Sequence, residues 1–170
     1  HRDFFNDMPL EMDPSFNEAD VSDKGAFVRN LPLLTSDQIS ELVEDNRARR
    51  RSLLAVDEAI TKIIGELRRT KQARNTVIVM MGDNGYLLGQ HRISMGKYFP
   101  YEPALRIPFM MSGPGIAKNQ KQSKLVSLVD LAPTLLDLAR ATPHGRVPAG
   151  VSLRRALAGS GPPRTRSVLL

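Results

Sequence analysis

The spacing of apolar residues changes character along the chain, and each change marks an element. Residues 1–34 carry no regular period. Pro9, Pro14 and Pro32 interrupt scattered aromatics among many Asp and Asn, so this stretch reads as an irregular segment wrapped over a larger body. From Ser36 a helical period takes over. Ile39, Leu42 and Val43 share one face, as do Leu53, Val56, Ile60, Ile63, Ile64 and Leu67. Thr35 with Gln38 three residues later forms a capping box. A helix is predicted over about 36–71, with a break near Asp45 left open. The run Thr76-Val77-Ile78-Val79-Met80-Met81 is short, continuously apolar and followed by Gly82, the pattern of a strand buried on both faces. A second strand is predicted over Ile107–Met111, where Pro108 implies an edge or a bulge. Leu125–Val129 is a third apolar run. Asp130 then caps a helix that holds Pro133 in its first turn and reaches about Arg140. Val151–Leu157 reads as a short helix, and Arg166–Leu170 as the start of another strand.

Between the first two strands, Gly85 to Pro103 lacks any period. Gly85, Gly89 and Gly96 give it backbone freedom, and it reads as a loop that carries function. Helix followed by strand fits a βαβ layer, so the predicted class is α/β. Loops at the carboxyl ends of such strands are where these folds place ligands.

Composition narrows the field without choosing within it. At 170 residues, 41% hydrophobic and 25% charged, the chain has the makings of one globular domain. The absence of Cys excludes disulfides, thiolate metal sites and a cysteine nucleophile in this chain. No apolar run approaches a membrane span, so no membrane partner is expected. The net charge is +6 and the pI about 10.0. Basic residues gather at Arg47, Arg49, Arg50 and Arg51, then at Arg68, Arg69, Lys71 and Arg74. They read as a solvated helix face. No nucleic-acid motif or aromatic interleaving accompanies them, so no nucleic-acid partner is expected.

The candidate chemistry sits just after the first strand. Asp83 and Asn84 place a carboxylate and an amide oxygen side by side, the hard ligands that Ca²⁺ or Mg²⁺ takes. The same Asp-Asn-Gly triplet is also ordinary turn chemistry. His91, Arg92 and Lys97 follow as three groups able to face an anion.

The whole stretch resembles the sulfatases of the alkaline-phosphatase-like superfamily. The matching residues are Gly82-Asp83-Asn84-Gly85-Tyr86, Leu88-Gly89-Gln90-His91, Lys97, Tyr101-Glu102, Arg106-Ile107-Pro108 and Gly113-Pro114-Gly115-Ile116. Asp130-Leu131-Ala132-Pro133-Thr134-Leu135-Leu136-Asp137 and Gly150-Val151-Ser152-Leu153 extend the likeness downstream. The Gly-Tyr-Leu-Leu-Gly-Gln run is most similar to arylsulfatase and glucosamine-6-sulfatase members.

The resemblance implies an alkaline-phosphatase-like mixed, mainly parallel sheet flanked by helices. It further implies that the chain holds the carboxyl-side part of the catalytic domain. Residues 1–158 would belong to that part, and 159–170 to a linker and the first strand of a further subdomain. Asp83 and Asn84 would be metal ligands, the metal Ca²⁺ with Mg²⁺ as the alternative. Lys97 would contact the sulfate and leaving oxygen. His91 would contact substrate, or stand behind the site, or serve structure alone. Glu102 and Arg106 would form a buried ion pair that orders the loop. The family's nucleophile is a formylglycine made from a Cys or Ser in a C/S-x-P-x-R motif far upstream. Ser160-Gly161-Pro162-Pro163-Arg164 spells that motif but follows the central strand, in a linker, and is rejected. The expected partners are a sulfate ester or sulfated sugar and an amino-terminal half of the same domain. A phosphodiesterase or phosphonate monoester hydrolase of the same superfamily, or a non-catalytic fragment, are the competing readings.

Overall fold

A computed structural model describes residues 3–146 and 148–161. His1, part of the Ser160–Arg164 motif and the strand expected over 166–170 lie outside the described residues. In chain order the elements are α1 (Ala26–Arg29), α2 (Ser36–Arg69), β1 (Ile78–Met81), α3 (Glu102–Leu105), β2 (Phe109–Ser112), α4 (Leu131–Ala139) and α5 (Arg154–Leu157). They fall into two compact units. One comprises the residues up to Arg69 with Met81–Phe109; the other comprises Thr70–Met80 with the residues from Met110 onward.

In the first unit α2 is one unbroken helix of 34 residues. The break left open near Asp45 does not occur; neither Gly nor Pro interrupts the backbone there. The capping box forms, with Thr35 N–H donating to Gln38 Oε1 (2.9 Å) and Gln38 N–H to Thr35 Oγ1 (3.3 Å). Leu42 packs with Leu10 and Leu34. Val21, Val28, Leu87, Ile93 and Ala104 make a second core. The amino-terminal segment is irregular, as its prolines require.

Three arginines hold that segment in place. Arg47 Nε donates to the Met8 carbonyl (3.2 Å), and Arg51 Nε to that of Phe4 (3.0 Å). Arg92 spends its guanidinium on the carbonyls of Glu18, Ala19 and Leu31, at 2.9, 2.7 and 2.9 Å. Arg49 lies 3.9 Å over the Tyr86 ring. Of the basic residues read as a solvated face, Arg47, Arg49 and Arg51 are therefore anchors, while Arg68, Arg69, Lys71 and Arg74 are exposed. Arginine suits this role because its planar fork presents several donors at once.

β1 and β2 form the sheet found among the described residues. The pairing is antiparallel: Gly82 N–H meets the Pro108 carbonyl (3.2 Å), while at the other end Gly113 abuts Thr76. Pro108 precedes β2 rather than interrupting it, as a residue without N–H should. The mainly parallel sheet implied by the resemblance is thus present only as this pair, and Met80 in β1 is 45% exposed rather than buried.

The second unit's other elements are helical. The apolar run at 125–129 leads into a 3₁₀ turn, Leu128–Asp130. Ser127 caps that turn, with Asp130 as its third residue, which corrects the expectation that Asp130 caps α4 directly. Asp130 Oδ2 accepts Ser127 N–H (3.1 Å) and its Oδ1 accepts Val151 N–H (2.9 Å). Thr134 is fully buried; its hydroxyl donates to the Asp130 carbonyl and accepts Leu153 N–H (2.9 Å). These bonds tie α4 to the segment that leads into α5. No helix among the described residues is long and apolar enough to cross a membrane.

Candidate functional site

β1 ends at Met81, and the next four residues form a turn clamped from one side. Gly85 N–H donates to the Ala104 carbonyl (2.7 Å) and Tyr86 N–H to that of Pro103 (2.9 Å). The approach is so close that a Cβ on Gly85 would lie 1.9 Å from the Pro103 oxygen. Within the turn, Asn84 N–H donates to Asp83 Oδ1 (2.9 Å) and Asn84 Nδ2 to the Gly85 carbonyl (2.8 Å). The same two bonds leave Asp83 Oδ2 and Asn84 Oδ1 uncommitted among the described residues. Asp83 is exposed and Asn84 half-buried. The turn reading and the ligand reading are therefore compatible: one set of atoms makes the turn, and the other carries no hydrogen bond among the described residues.

Two oxygens fit a hard divalent cation chemically but fill only part of the six to eight positions Ca²⁺ takes. No group of three or more His, Cys, Asp or Glu able to hold a metal occurs among the described residues.

The loop beyond the turn is irregular, as predicted, but tightly built. Leu87 is fully buried and exchanges backbone bonds with Gly96 (2.8 and 3.3 Å). Gly89 has φ of +96°, and a Cβ there would meet the Phe16 ring at 2.2 Å. His91 and Arg92 both adopt left-handed φ, +53° and +61°. Such backbone is uncommon for side chains of this size and is held by its surroundings. His91 N–H donates to the Ser15 carbonyl (2.7 Å), and Asn17 N–H to that of Gly89 (2.8 Å). Residues 15–19 and 89–92 are thus stitched together.

His91 sits inside this seam. Its Nδ1 lies 2.7 Å from Glu18 Oε2, and its ring lies 4.3 Å from that of Tyr101. The side chain is only 13% exposed. Arg92, with all three nitrogens on carbonyls, faces no anion. Lys97 differs from both. It follows buried Gly96, is exposed, and takes part in no ion pair among the described residues. Glu102 and Arg106 do not form the expected buried ion pair. Both are exposed, and they are joined through the backbone, Arg106 N–H to the Glu102 carbonyl (2.8 Å). A one-turn helix, α3, satisfies itself in this way and leaves the side chains apart.

An open cavity of about 440 Å³ lies nearby, lined by Glu11, Asp13, Gln90, Glu102, Pro103 and Arg106. Three carboxylates against one guanidinium make it unsuited to an anion. Asp13 there is held below the usual carboxylate range, chiefly by the Ser15 hydroxyl.

Sequence patterns supplied the turn, the loop and Lys97. They did not supply Glu18 as the partner of His91, nor Arg49 over Tyr86. Those pairings join residues 73 and 37 positions apart, and no local period marks them.

An acid–amide pair at the end of β1 is thus followed by a loop that carries an exposed lysine. The chain belongs to the sulfatase family, whose model matches residues 3–141. It is 40% identical over 148 residues to an arylsulfatase of Volvox carteri, covering 83% of this chain and 23% of that protein. It is 35% identical over 137 residues to human N-acetylglucosamine-6-sulfatase, covering 81% and 25%. A solved structure of a protein in complex with its substrate D-glucosamine-2-N,6-O-disulfate aligns with TM-score 0.59 and 34% identity, over 66% of this chain and 22% of that one. A phosphonate monoester hydrolase from Silicibacter pomeroyi aligns with TM-score 0.58 and 33% identity, over 65% and 22%. The chain thus spans about a quarter of the length of these relatives.

Proposed function

We propose that this chain is the carboxyl-side part of the catalytic domain of a metal-dependent sulfatase that acts on the sulfate ester of a sugar or another small molecule. The supporting observation is the pair of uncommitted oxygens on Asp83 and Asn84 at the end of β1, in a chain of the sulfatase family. These two side chains would hold one side of a divalent cation, Ca²⁺ in preference to Mg²⁺ because a loop-borne, partly flexible set suits the larger ion. The cation would polarise the sulfate oxygens. Lys97 supplies a mobile point charge for a sulfate oxygen and for the leaving oxygen. His91, pinned by Glu18, sets the course of the loop that carries Lys97. The nucleophile, a formylglycine, and the remaining metal ligands come from an upstream part of the domain.

The exposed apolar stripe of α2 supports that completion. Leu53, Val56 and Ile63 are 60%, 47% and 60% exposed, far more than a helix face with this period leaves to water in a finished domain. The likeness to the phosphonate monoester hydrolase favours a second reading, hydrolysis of a phosphonate monoester at the same site.

The test uses the full-length protein with an aryl sulfate and an aryl phosphonate. Turnover of the sulfate, with Asp83→Ala and Lys97→Ala each lowering kcat about 100-fold or more, is expected. Asp83→Ala is also expected to lower the calcium content measured by atomic absorption. Preference for the phosphonate selects the second reading, and near wild-type turnover by either variant removes that residue from the site.

A further inference from the structure

Charge is divided between the two units far more unevenly than the total suggests. Residues 70–80 and 110–170 hold eleven Lys and Arg against two acids, Asp130 and Asp137, a net charge of +9. The rest of the chain holds thirteen against sixteen, a net charge of −3. Both acids of the basic unit are already engaged. Asp130 is 4% exposed and accepts two backbone N–H groups; Asp137 pairs with Arg154 at 2.8 Å. Lys71, Arg74, Lys118, Lys121, Lys124, Arg140 and Arg155 are exposed and in no ion pair among the described residues.

Three of these seven lie in one loop, and two more lie on or just after the helices that it touches. Residues 117–124 read Ala-Lys-Asn-Gln-Lys-Gln-Ser-Lys, a lysine at every third position with amides and a hydroxyl between. The loop begins beside the end of α4, since a Cβ on Gly115 would lie 3.8 Å from Leu138 Cδ2. It then runs along α5: Ala117 N–H donates to the Leu157 carbonyl (2.7 Å), and a Cβ on Gly159 would lie 2.8 Å from Gln120 Nε2. Arg140 directly follows α4 and Arg155 lies in α5, the two helices that the loop touches.

A surface of unneutralised cations this dense concentrates polyanions and does so in a salt-dependent way. Which polyanion follows from what the unit lacks. Residues 70–80 and 110–161 contain no Phe, Tyr or Trp, so nothing is there for nucleic-acid bases to stack on. Amide side chains between lysines suit hydroxyl groups lying between sulfates. We infer that Lys118, Lys121, Lys124, Arg140 and Arg155 form a docking surface for a sulfated polysaccharide chain. The choice of sulfate over other anionic groups rests on the sulfatase reading; the surface itself does not. The natural substrate is then a polymer.

The experiment measures retention of the full-length protein on immobilised dextran sulfate against a salt gradient, with single-stranded DNA as the second ligand. The triple variant K118Q/K121Q/K124Q is expected to bind about tenfold or more weakly at 0.15 M salt, with a salt slope shallower by about 2. R155Q tests the same surface from a helix. R29Q/R68Q, which removes two exposed cations from the acidic unit, is expected to elute with the wild type. Co-elution of the triple variant and R155Q with the wild type overturns the inference. So does an equal loss in R29Q/R68Q, or DNA binding as tight as that of dextran sulfate. Hydrolysis of a small sulfate ester by the wild type, measured separately, decides the sulfatase reading whichever way the retention falls.

Discussion

Gly85 shows how a single missing side chain couples the Asp83–Asn84 turn to the rest of its unit. The Pro103 oxygen occupies the space a methyl group would need, and that oxygen is backbone, unable to swing aside. Gly85→Ala is therefore expected to destabilise the protein by about 1–3 kcal/mol, the usual cost of overpacking, read as a lowered thermal midpoint. Asp137 carries a prediction of a different kind. The Ser152 hydroxyl (2.6 Å) and then Arg154 hold its carboxyl below the ordinary value of 3.8. A depressed folded-state pKa contributes stability above the unfolded value, and that contribution disappears as pH falls through the folded one. Asp137→Asn should thus melt below the wild type at pH 7, with the gap closing as pH drops below about 4. Residue identities at the turn were readable because Asp83, Asn84 and Lys97 sit in a short stretch with a dense pattern. Glu18 was not, because its role exists only once the chain has folded back on itself.

At the scale of elements, α2 was predicted nearly to the residue, since capping box, periodicity and absence of breakers all agree. Its two halves nevertheless have different physical status. Leu42 is 2% exposed while Ile63 is 60% exposed. In the isolated 170-residue chain, Leu42→Ala is expected to cost about 2–5 kcal/mol and Ile63→Ala less than about 0.5, by denaturant titration. An Ile63→Ala cost comparable to that of Leu42→Ala would show that the stripe is covered within this chain. Apolar period alone could not tell the halves apart; it reports which face is meant to be buried, not what buries it. The same gap left residues 125–129 unassigned, since a short apolar run fits a strand or a turn equally well. Ser127 and Asp130 decide for the turn through their reciprocal bonds.

For the whole molecule, the sequence indicated an α/β chain of the sulfatase type but not its division into two units of opposite charge. That division depends on residues 70–80 joining residues beyond 110, a long-range pairing. The proposed site is also incomplete in this chain, with the oxygens of Asp83 and Asn84, one lysine and no Cys. The 170 residues alone are accordingly expected to show no turnover of an aryl sulfate above the uncatalysed rate; clear turnover by the purified segment would contradict the proposed split of the site.

The arginine anchors of the amino-terminal segment carry one more consequence. Arg92 takes three carbonyls and no side chain, and Arg47 and Arg51 each reach a further carbonyl. Every residue type offers a carbonyl, so these five bonds do not depend on which side chains stand at residues 4, 8, 18, 19 and 31. Substitution at those five positions leaves the bonds in place, whereas replacing any of the three arginines removes its share of them.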